Sequence, residues 1–317
     1  MSNSSHLAKL QRPSFIYDFC SWLLYHPLRA VLVLMTDDNL NVAMRIANVL
    51  GELEFLLFRK RNRAFVDYLT NVLRDTPLSG RERELAKKCL QYRHKRALGM
   101  LTEKPGVIAT PLVNPQYLAR ANGRGACFTV LHFGYHYSAL GAIQANMPVP
   151  IYAGTVLEKT SSRIKNGNNK TKLNALRAHI GSSAVNDRDQ LLREVLPAVA
   201  AGNAAYLSII DAFSNGAKLY PFLGGQIMLS IIPIAKFAMK NNVLIFPYFV
   251  TGDRIDSRRL VIETPLDPSD GANTIETIEK RLLSTIEQYS LENPELVDWF
   301  LFWKRVRLFK ENIPGAM

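Results

Sequence analysis

A chain of 317 residues with 48% hydrophobic residues can bury a large core, which excludes a disordered chain and a small disulfide-stapled scaffold. Its formal net charge of +12 at pH 7 indicates an anionic partner. An acidic carrier protein and an anionic membrane surface both fit, whereas no RNA-recognition, helix-turn-helix or zinc-finger pattern supports a nucleic-acid partner. The three cysteines, Cys20, Cys89 and Cys127, are too far apart to indicate a disulfide framework or a metal cluster.

The N-terminal stretch is predicted to contact a membrane without crossing it. Residues 15–35 are rich in apolar and aromatic side chains, but Asp18, Pro27 and Arg29 interrupt them. A spanning helix needs about 20 predominantly apolar residues with few charges, which this stretch does not supply. Two shorter helices at a membrane surface fit the pattern, and two helices of a buried bundle are the alternative.

Helical patterns continue through the first hundred residues. Residues 39–58 form an apolar helical stretch, and a basic run, residues 59–63 (RKRNR), follows it. Such a run is either a solvated face or a contact with lipid phosphates. Residues 64–103 have helical periodicity, and Ser79 with Glu82 three residues later predicts a capping box at a helix start.

The pattern changes after Pro105, where short apolar runs alternate with amphipathic stretches. This alternation is typical of βαβ units and predicts an α/β fold. We therefore expect a helical, membrane-associating region, residues 1–104, and an α/β domain, residues 105–317, as one continuous unit. The predicted strands are 127–131, 149–152, 205–210, 243–250 and 260–262, and the predicted helices are 134–145, 170–180, 188–201, 228–240 and 273–290.

A histidine after the first of these strands is the main candidate for chemistry. The strand is predicted to end just before His132, and Gly134 then leads into a helix. The carboxyl ends of strands in an α/β sheet face the ligand crevice, and a helix start offers free N–H groups and a positive dipole end. His132 is therefore placed to act as a general base beside an oxyanion site, with a packed or capping histidine as the alternative.

The pattern His132-Phe133-Gly134-x-x-(acid) resembles the His-x4-Asp/Glu block of glycerolipid acyltransferases, and most closely that of the late lipid A acyltransferases, which add lauroyl or myristoyl chains. Tyr137 stands where that family has its carboxylate. Other segments resemble the family in the same order along residues 15–307: RAHIG with Arg177, GNAAYLSIID ending in Asp211, PFLG with Phe222, and Pro294-Glu295 before Trp299 and Arg305. The arginine of the family's Tyr-Arg-Pro strand end is missing, because this sequence has Tyr152-Ala153-Gly154.

The resemblance implies an α/β fold with a central mixed sheet of the glycerolipid-acyltransferase kind, flanked by helices and with an N-terminal helical cap. It also implies transfer of an acyl group from a carrier-protein or coenzyme A thioester to a hydroxyl or amine, on the cytoplasmic side of a bacterial inner membrane. In the family the histidine is the base and the acid orients it. No metal or organic cofactor is expected.

Tyr137 can orient His132 but carries no negative charge at neutral pH, since the unperturbed pKa of tyrosine is about 10. Three alternatives stay open. Asp211 or Glu158 supplies the carboxylate, or the acceptor is an amine that needs less help, or the chain is a catalytically degenerate acyl-chain or lipid-binding protein.

Substrate-binding candidates follow from the same pattern, each with a structural alternative. Arg177 can hold an anionic phosphate or carrier-linked group, or can be a surface arginine. His136 is expected to line the pocket rather than to bind a metal, because no third ligand has suitable spacing. Phe222, with Met228, Ile231 and Ile232, can line an apolar groove for the acyl chain, and core packing explains these residues nearly as well.

Overall fold

In the computed structural model, the structure describes residues 40–102, 110–136, 138–154, 184–185, 188–211, 216–252 and 257–312. The first described elements are three helices: α1 (Leu40–Leu57), α2 (Arg59–Leu73) and α3 (Glu82–Thr102). This confirms the helical patterns predicted for residues 39–103 where they are described. The stretch 15–35 lies outside the described residues. None of the described helices is both long and apolar enough to cross a bilayer.

The capping box predicted at Ser79 and Glu82 is wrong. Helix α3 begins at Glu82, and the carbonyl of Arg81 accepts its first helical hydrogen bond from the Leu85 N–H at 2.9 Å. The Glu82 carboxylate instead accepts a hydrogen bond from the Gly80 N–H at 2.8 Å. Ser79 therefore lies in the preceding turn, too far upstream to cap the helix.

A seven-stranded sheet forms the centre of the described structure. Its strands are β1 (Leu112–Val113), β2 (Ala126–Val130), β3 (Ile151–Gly154), β4 (Ala184–Val185), β5 (Ala205–Ile209), β8 (Leu244–Thr251) and β9 (Arg259–Ile262). They lie in the order β1-β9-β8-β2-β5-β3-β4. All neighbouring strands are parallel except β8 and β9, which are antiparallel. The α/β prediction is confirmed at this level, as a mostly parallel sheet flanked by helices.

The helices of this half follow the predicted order with shifted ends. The segment predicted at 170–180 lies outside the described residues, and a π-helical turn, Leu191–Val195, interrupts the predicted 188–201 helix. A 3-10 helix, Pro115–Ala121, precedes β2 and another, Pro294–Leu296, precedes the last helix. The α-helices are α4 (Ser138–Asn146), α5 (Arg188–Gln190), α6 (Leu196–Ala200), α7 (Ile232–Asn241), α8 (Ile275–Glu292) and α9 (Trp299–Asn312).

A separate hairpin of β6 (Lys218–Phe222) and β7 (Gly225–Leu229) replaces the start of the helix predicted at 228–240. Helix α7 begins only at Ile232, with Pro233 in its first turn. Proline suits that place because the first N–H groups of a helix have no partner within it, whereas a helix from residue 228 would put proline in its interior. The apolar run 228–240 was therefore predicted as one helix, whereas it holds the end of β7 and the helix α7.

One hydrophobic core joins the helical part to the sheet. Phe65 of α2 packs edge-on against Phe300 of α9, with ring centroids 5.3 Å apart, and both belong to the cluster that contains the strands β2 and β8. The carbonyl of Val72 accepts a hydrogen bond from Gly224 in the hairpin turn at 2.8 Å. Within the described residues, the helical cap and the sheet thus share their packing.

Candidate functional site

The register of the central strands brings His132 and Asp211 together. Strands β2 and β5 are parallel neighbours, and Val130 pairs with Ile209 at their carboxyl ends. His132 and Asp211 each follow two residues after that pair, so the chain delivers both side chains to the same edge of the sheet. The Ile210 N–H donates to the Val130 carbonyl at 2.9 Å, which keeps the two chains side by side up to these residues.

The His132 ring is held by the Asp211 carboxylate. Nδ1 of His132 lies 2.8 Å from Oδ1 and 2.9 Å from Oδ2 of Asp211. The Asp211 side chain is fully buried, and that of His132 is 17% exposed. Of the alternatives that the sequence left open, this geometry gives Asp211 the position of an orienting acid. Tyr137 and Glu158 lie outside the described residues.

A third residue, Arg305 of α9, pairs with the same carboxylate. Its Nη1 lies 3.0 Å from Oδ2 of Asp211. Burial alone would raise the pKa of Asp211, but His132 and Arg305 hold that pKa below its ordinary value. Asp211 is therefore ionised, and an ionised carboxylate can only accept hydrogen bonds.

The same surroundings keep the imidazole neutral. Burial lowers the pKa of His132, Asp211 counteracts this, and the nearby cations Arg305 and Arg96 lower the pKa further. Because Asp211 is an acceptor, the ring proton of neutral His132 belongs on Nδ1, which leaves Nε2 as the basic nitrogen. A neutral, oriented imidazole with a free basic nitrogen can remove a proton from a hydroxyl or amine.

The turn after His132 is fixed by the segment that precedes α9. The His132 carbonyl accepts a hydrogen bond from the Asp298 N–H at 3.1 Å, and the Gly134 N–H donates to the Leu296 carbonyl at 3.0 Å. Between them, Phe133 and Val297 form an antiparallel bridge. The backbone that carries the imidazole is therefore fixed by residues more than a hundred and fifty positions later in the sequence.

The oxyanion role expected near Gly134 needs correction. Helix α4 begins at Ser138 instead of Gly134, and the Gly134 N–H is already bonded to Leu296. Gly134 instead meets a steric requirement: its φ is +57°, and a Cβ there would lie 1.9 Å from the Val250 carbonyl oxygen. Only glycine fits so close an approach in that backbone conformation.

Sequence reasoning missed the ion pairs that surround the turn. Asp298 is buried and pairs with Arg96 of α3, while Arg93 Nε lies 3.7 Å from its other oxygen. Burial alone would raise the pKa of Asp298, but these arginines hold it below its ordinary value. An acid in a hydrophobic segment, such as Asp298 in LVDWF, is the signal that could have found the pair, because buried acids need cations.

The other predicted substrate contacts are placed differently. His136 is buried and packs edge-on against His132, with ring centroids 5.2 Å apart, so it supports the imidazole instead of lining an open pocket.

Phe222 is fully buried beside Trp299 in the core, at 6.1 Å between ring centroids, which contradicts its place in an open acyl groove. Met228 and Ile231 are buried as well. Arg177 lies outside the described residues.

Across the described ranges, no three His, Cys, Asp or Glu side chains are grouped so that they could hold a metal ion. Comparison with known proteins adds no assignment: no family model matches this chain, and no curated protein matches it significantly.

Proposed function

We propose that this chain is an acyltransferase that moves an acyl group from a carrier-protein or coenzyme A thioester to a hydroxyl or amine, with His132 as general base. The observation that carries the proposal is the contact between His132 Nδ1 and the buried, ionised Asp211 at the carboxyl edge of the sheet. It supplies the acid that the sequence motif lacks at Tyr137. The resemblance to the late lipid A acyltransferases supports the choice of acyl transfer among reactions that need a base.

In the proposed reaction, Nε2 of His132 takes the proton from the acceptor as its oxygen or nitrogen attacks the thioester carbonyl. The new C–O or C–N bond forms, and the tetrahedral intermediate then expels the thiolate, which recovers the proton from the imidazolium. Asp211 keeps the imidazole in its Nδ1–H tautomer and stabilises the transient positive charge. This chemistry needs no metal and no organic cofactor.

The partners in the proposal follow from charge. A chain with a formal net charge of +12 attracts an acidic carrier protein and anionic head groups alike. We place the enzyme at the cytoplasmic face of a bacterial inner membrane, as a peripheral protein. The acceptor is a lipid, a glycolipid or a specialised metabolite that carries a hydroxyl or amine.

The test is thioester turnover by the full chain, with acyl-carrier-protein and acyl-coenzyme A donors and mass spectrometry of the acylated product. We expect His132→Ala to lower kcat by about a hundred- to ten-thousand-fold, the usual contribution of a general base. His94→Ala is a matched control, because His94 is also buried and also bonded to a carboxylate, at 2.7 Å from Glu54. Thermal unfolding of each variant separates lost catalysis from lost folding.

Activity that survives in folded His132→Ala would remove the histidine from the mechanism. Wild-type protein that binds acyl chains but turns over no donor would replace the enzyme with an acyl-binding protein on the same scaffold.

A further inference from the structure

An apolar stripe runs along the outer face of α1. Among the described residues, five of the seven large hydrophobic side chains that are well exposed lie in this one helix. Four of them, Val42, Val49, Leu53 and Leu56, follow each other at intervals of seven, four and three residues, so they share one face; they form the apolar stripe. Leu57 extends it at the helix end, where its side chain is 74% exposed.

The opposite face of α1 packs against α3. Ala47 and Leu50 are buried there, and Gly51 lies so close to α3 that a Cβ would meet the Gln91 backbone at 2.4 Å. Glu54 points inward to His94 and Arg61. Helix α1 therefore has a fixed orientation, and its apolar stripe cannot turn inward to be covered by α3.

Among the described residues, cations lie within the apolar stripe and just beyond its C-terminal end. Arg45 lies on the same face between Val42 and Val49, and the exposed Arg59, Lys60 and Arg63 follow at the start of α2. The two acids beside Leu53 in sequence are both paired, Glu52 with Lys87 of α3 and Glu54 with Arg61. Asp67, one turn beyond Arg63, is the acidic group on the outer face of α2. Among the described residues around the stripe, the exposed cations therefore outnumber the exposed acids.

This combination favours a lipid surface over a protein partner. Protein interfaces usually centre on aromatic anchors, whereas the apolar stripe is purely aliphatic. A second copy on a two-fold axis would pack stripe on stripe, and because cations lie both at Arg45 and at the start of α2, either helix direction would set cations against cations. Aliphatic side chains flanked by Arg and Lys are instead the pattern of a helix that lies in the interface of an anionic bilayer.

We propose that α1 lies on a bilayer containing anionic lipids, with the apolar stripe among the acyl chains and Arg45, Arg59, Lys60 and Arg63 on the phosphates. The inner side of the same helix faces the candidate site, because Sδ of Met44 accepts a hydrogen bond from the Tyr135 hydroxyl at 3.8 Å. Tyr135 follows His132 by three residues. A bilayer bound to α1 therefore lies one helix diameter from the turn that carries the proposed base.

The experiment is a site-specific probe on the full chain. In a Cys20→Ser background, Leu53→Cys carries an environment-sensitive fluorophore; the other native thiols, Cys89 and Cys127, are buried. Leu192→Cys is the matched control, because Leu192 is 49% exposed outside α1 and Leu53 is 46% exposed. The vesicles hold equal parts phosphatidylcholine and phosphatidylglycerol, with pure phosphatidylcholine for comparison.

Without vesicles, we expect the emission of the fluorophore at residue 53 to be that of a probe in water. Anionic vesicles should shift this emission to shorter wavelengths, and brominated lipids should quench it. The probe at residue 192 should do neither. A probe at residue 53 that is apolar before vesicles are added would overturn the proposal, because another part of the chain or a second copy would then cover α1. So would a probe that stays in water while the protein co-sediments with the vesicles.

The proposed contacts between basic side chains and lipid phosphates are tested by separate variants. Lys60→Ser and Arg63→Ser should each weaken binding to the anionic vesicles about fivefold at low salt, as expected for removing one basic residue near the surface. Binding that is unchanged in the double variant would refute the role of these cations. Vesicle binding requires no acyl transfer, so it can fail while the proposed reaction stands, and the reaction can fail while vesicle binding stands.

Discussion

Two buried histidine–carboxylate pairs lie in the described part of the chain, each with an arginine on the carboxylate. In the sheet, His132 Nδ1 lies 2.8 Å from Asp211, which pairs with Arg305 at 3.0 Å. In the helical part, His94 Nε2 lies 2.7 Å from Glu54, which pairs with Arg61 at 2.9 Å. The side-chain chemistry is nearly the same in both.

The two pairs differ in the nitrogen they use and in the elements that carry them. Glu54 holds Nε2 of His94 inside the contact between α1 and α3, so that pair joins two helices. Asp211 holds Nδ1 of His132 and leaves the outer nitrogen, at a sheet edge where two parallel strands end. A histidine–acid pair alone thus does not define a candidate site. The nitrogen left over, and the edge at which it lies, distinguish the two.

The largest expected effect separates the pairs by activity. Asp211→Asn should lower kcat by about ten-thousand-fold, because an amide cannot stabilise the Nδ1–H tautomer or the imidazolium as a carboxylate does. Glu54→Gln should leave kcat nearly unchanged but reduce the free energy of unfolding by about 2 kcal/mol, since it removes hydrogen bonds to charged partners. Steady-state kinetics and urea unfolding of both variants measure the contrast.

The contrast fails if Glu54→Gln loses as much activity as Asp211→Asn while it stays folded. Both pairs would then belong to one functional network, and the distinction by free nitrogen would be wrong. Equal, small activity losses would show that neither carboxylate orients a base.

A second difference lies in the backbone. His94 is carried within a regular helix, whereas His132 is carried by a turn that depends on Gly134. Gly134→Ala should cost about 3 kcal/mol of unfolding free energy, because the methyl group would collide with the Val250 carbonyl in a left-handed conformation. Gly123→Ala, at φ +72° with open space around the Cβ, should cost only about 1 kcal/mol. Similar losses for the two variants in urea unfolding would argue against the collision.

Sequence patterns located the strands that build the site. The apolar runs before His132 and Asp211 predicted β2 and β5 to within one residue, and both polar residues were expected at strand ends. What the sequence could not give was the order of the strands across the sheet. Only the pairing of Val130 with Ile209 makes His132 and Asp211 neighbours.

The missed parts depend on contacts that are distant in sequence. Arg305 lies in a helix that looks amphipathic and basic, and its contact with Asp211 depends on where α9 lies against the sheet edge. At the start of α9, Trp299 Nε1 donates to the Pro294 carbonyl at 2.7 Å. The sequence did not predict the β6–β7 hairpin, because the apolar run of β7 continues directly into the apolar start of α7. Local periodicity cannot divide such a run, whereas Pro233 could have marked the boundary.

The smallest expected effect concerns pH and the arginines. Arg305 and Arg96 are cations near the His132 ring, and both lower the pKa of His132, whereas Asp211 raises it. The buried His136 ring packs against the same imidazole. Arg305→Gln removes a positive charge, so the pKa of His132 should rise. The acid limb of kcat/KM should then move to higher pH by the same amount, because the base must be unprotonated to act.

Arg61→Gln is the matched control, because Arg61 forms an ion pair with Glu54 just as Arg305 does with Asp211. It should move neither the acid limb nor the NMR titration of the His132 ring. The NMR titration reads the pKa without any turnover, so it tests the charge network even if no acceptor is found. A downward shift in Arg305→Gln would mean that Arg305 acts by holding Asp211 in place, since a displaced carboxylate no longer raises the pKa of the imidazole. Retention of the wild-type pKa in Arg305→Lys would then distinguish the charge from the shape of the guanidinium.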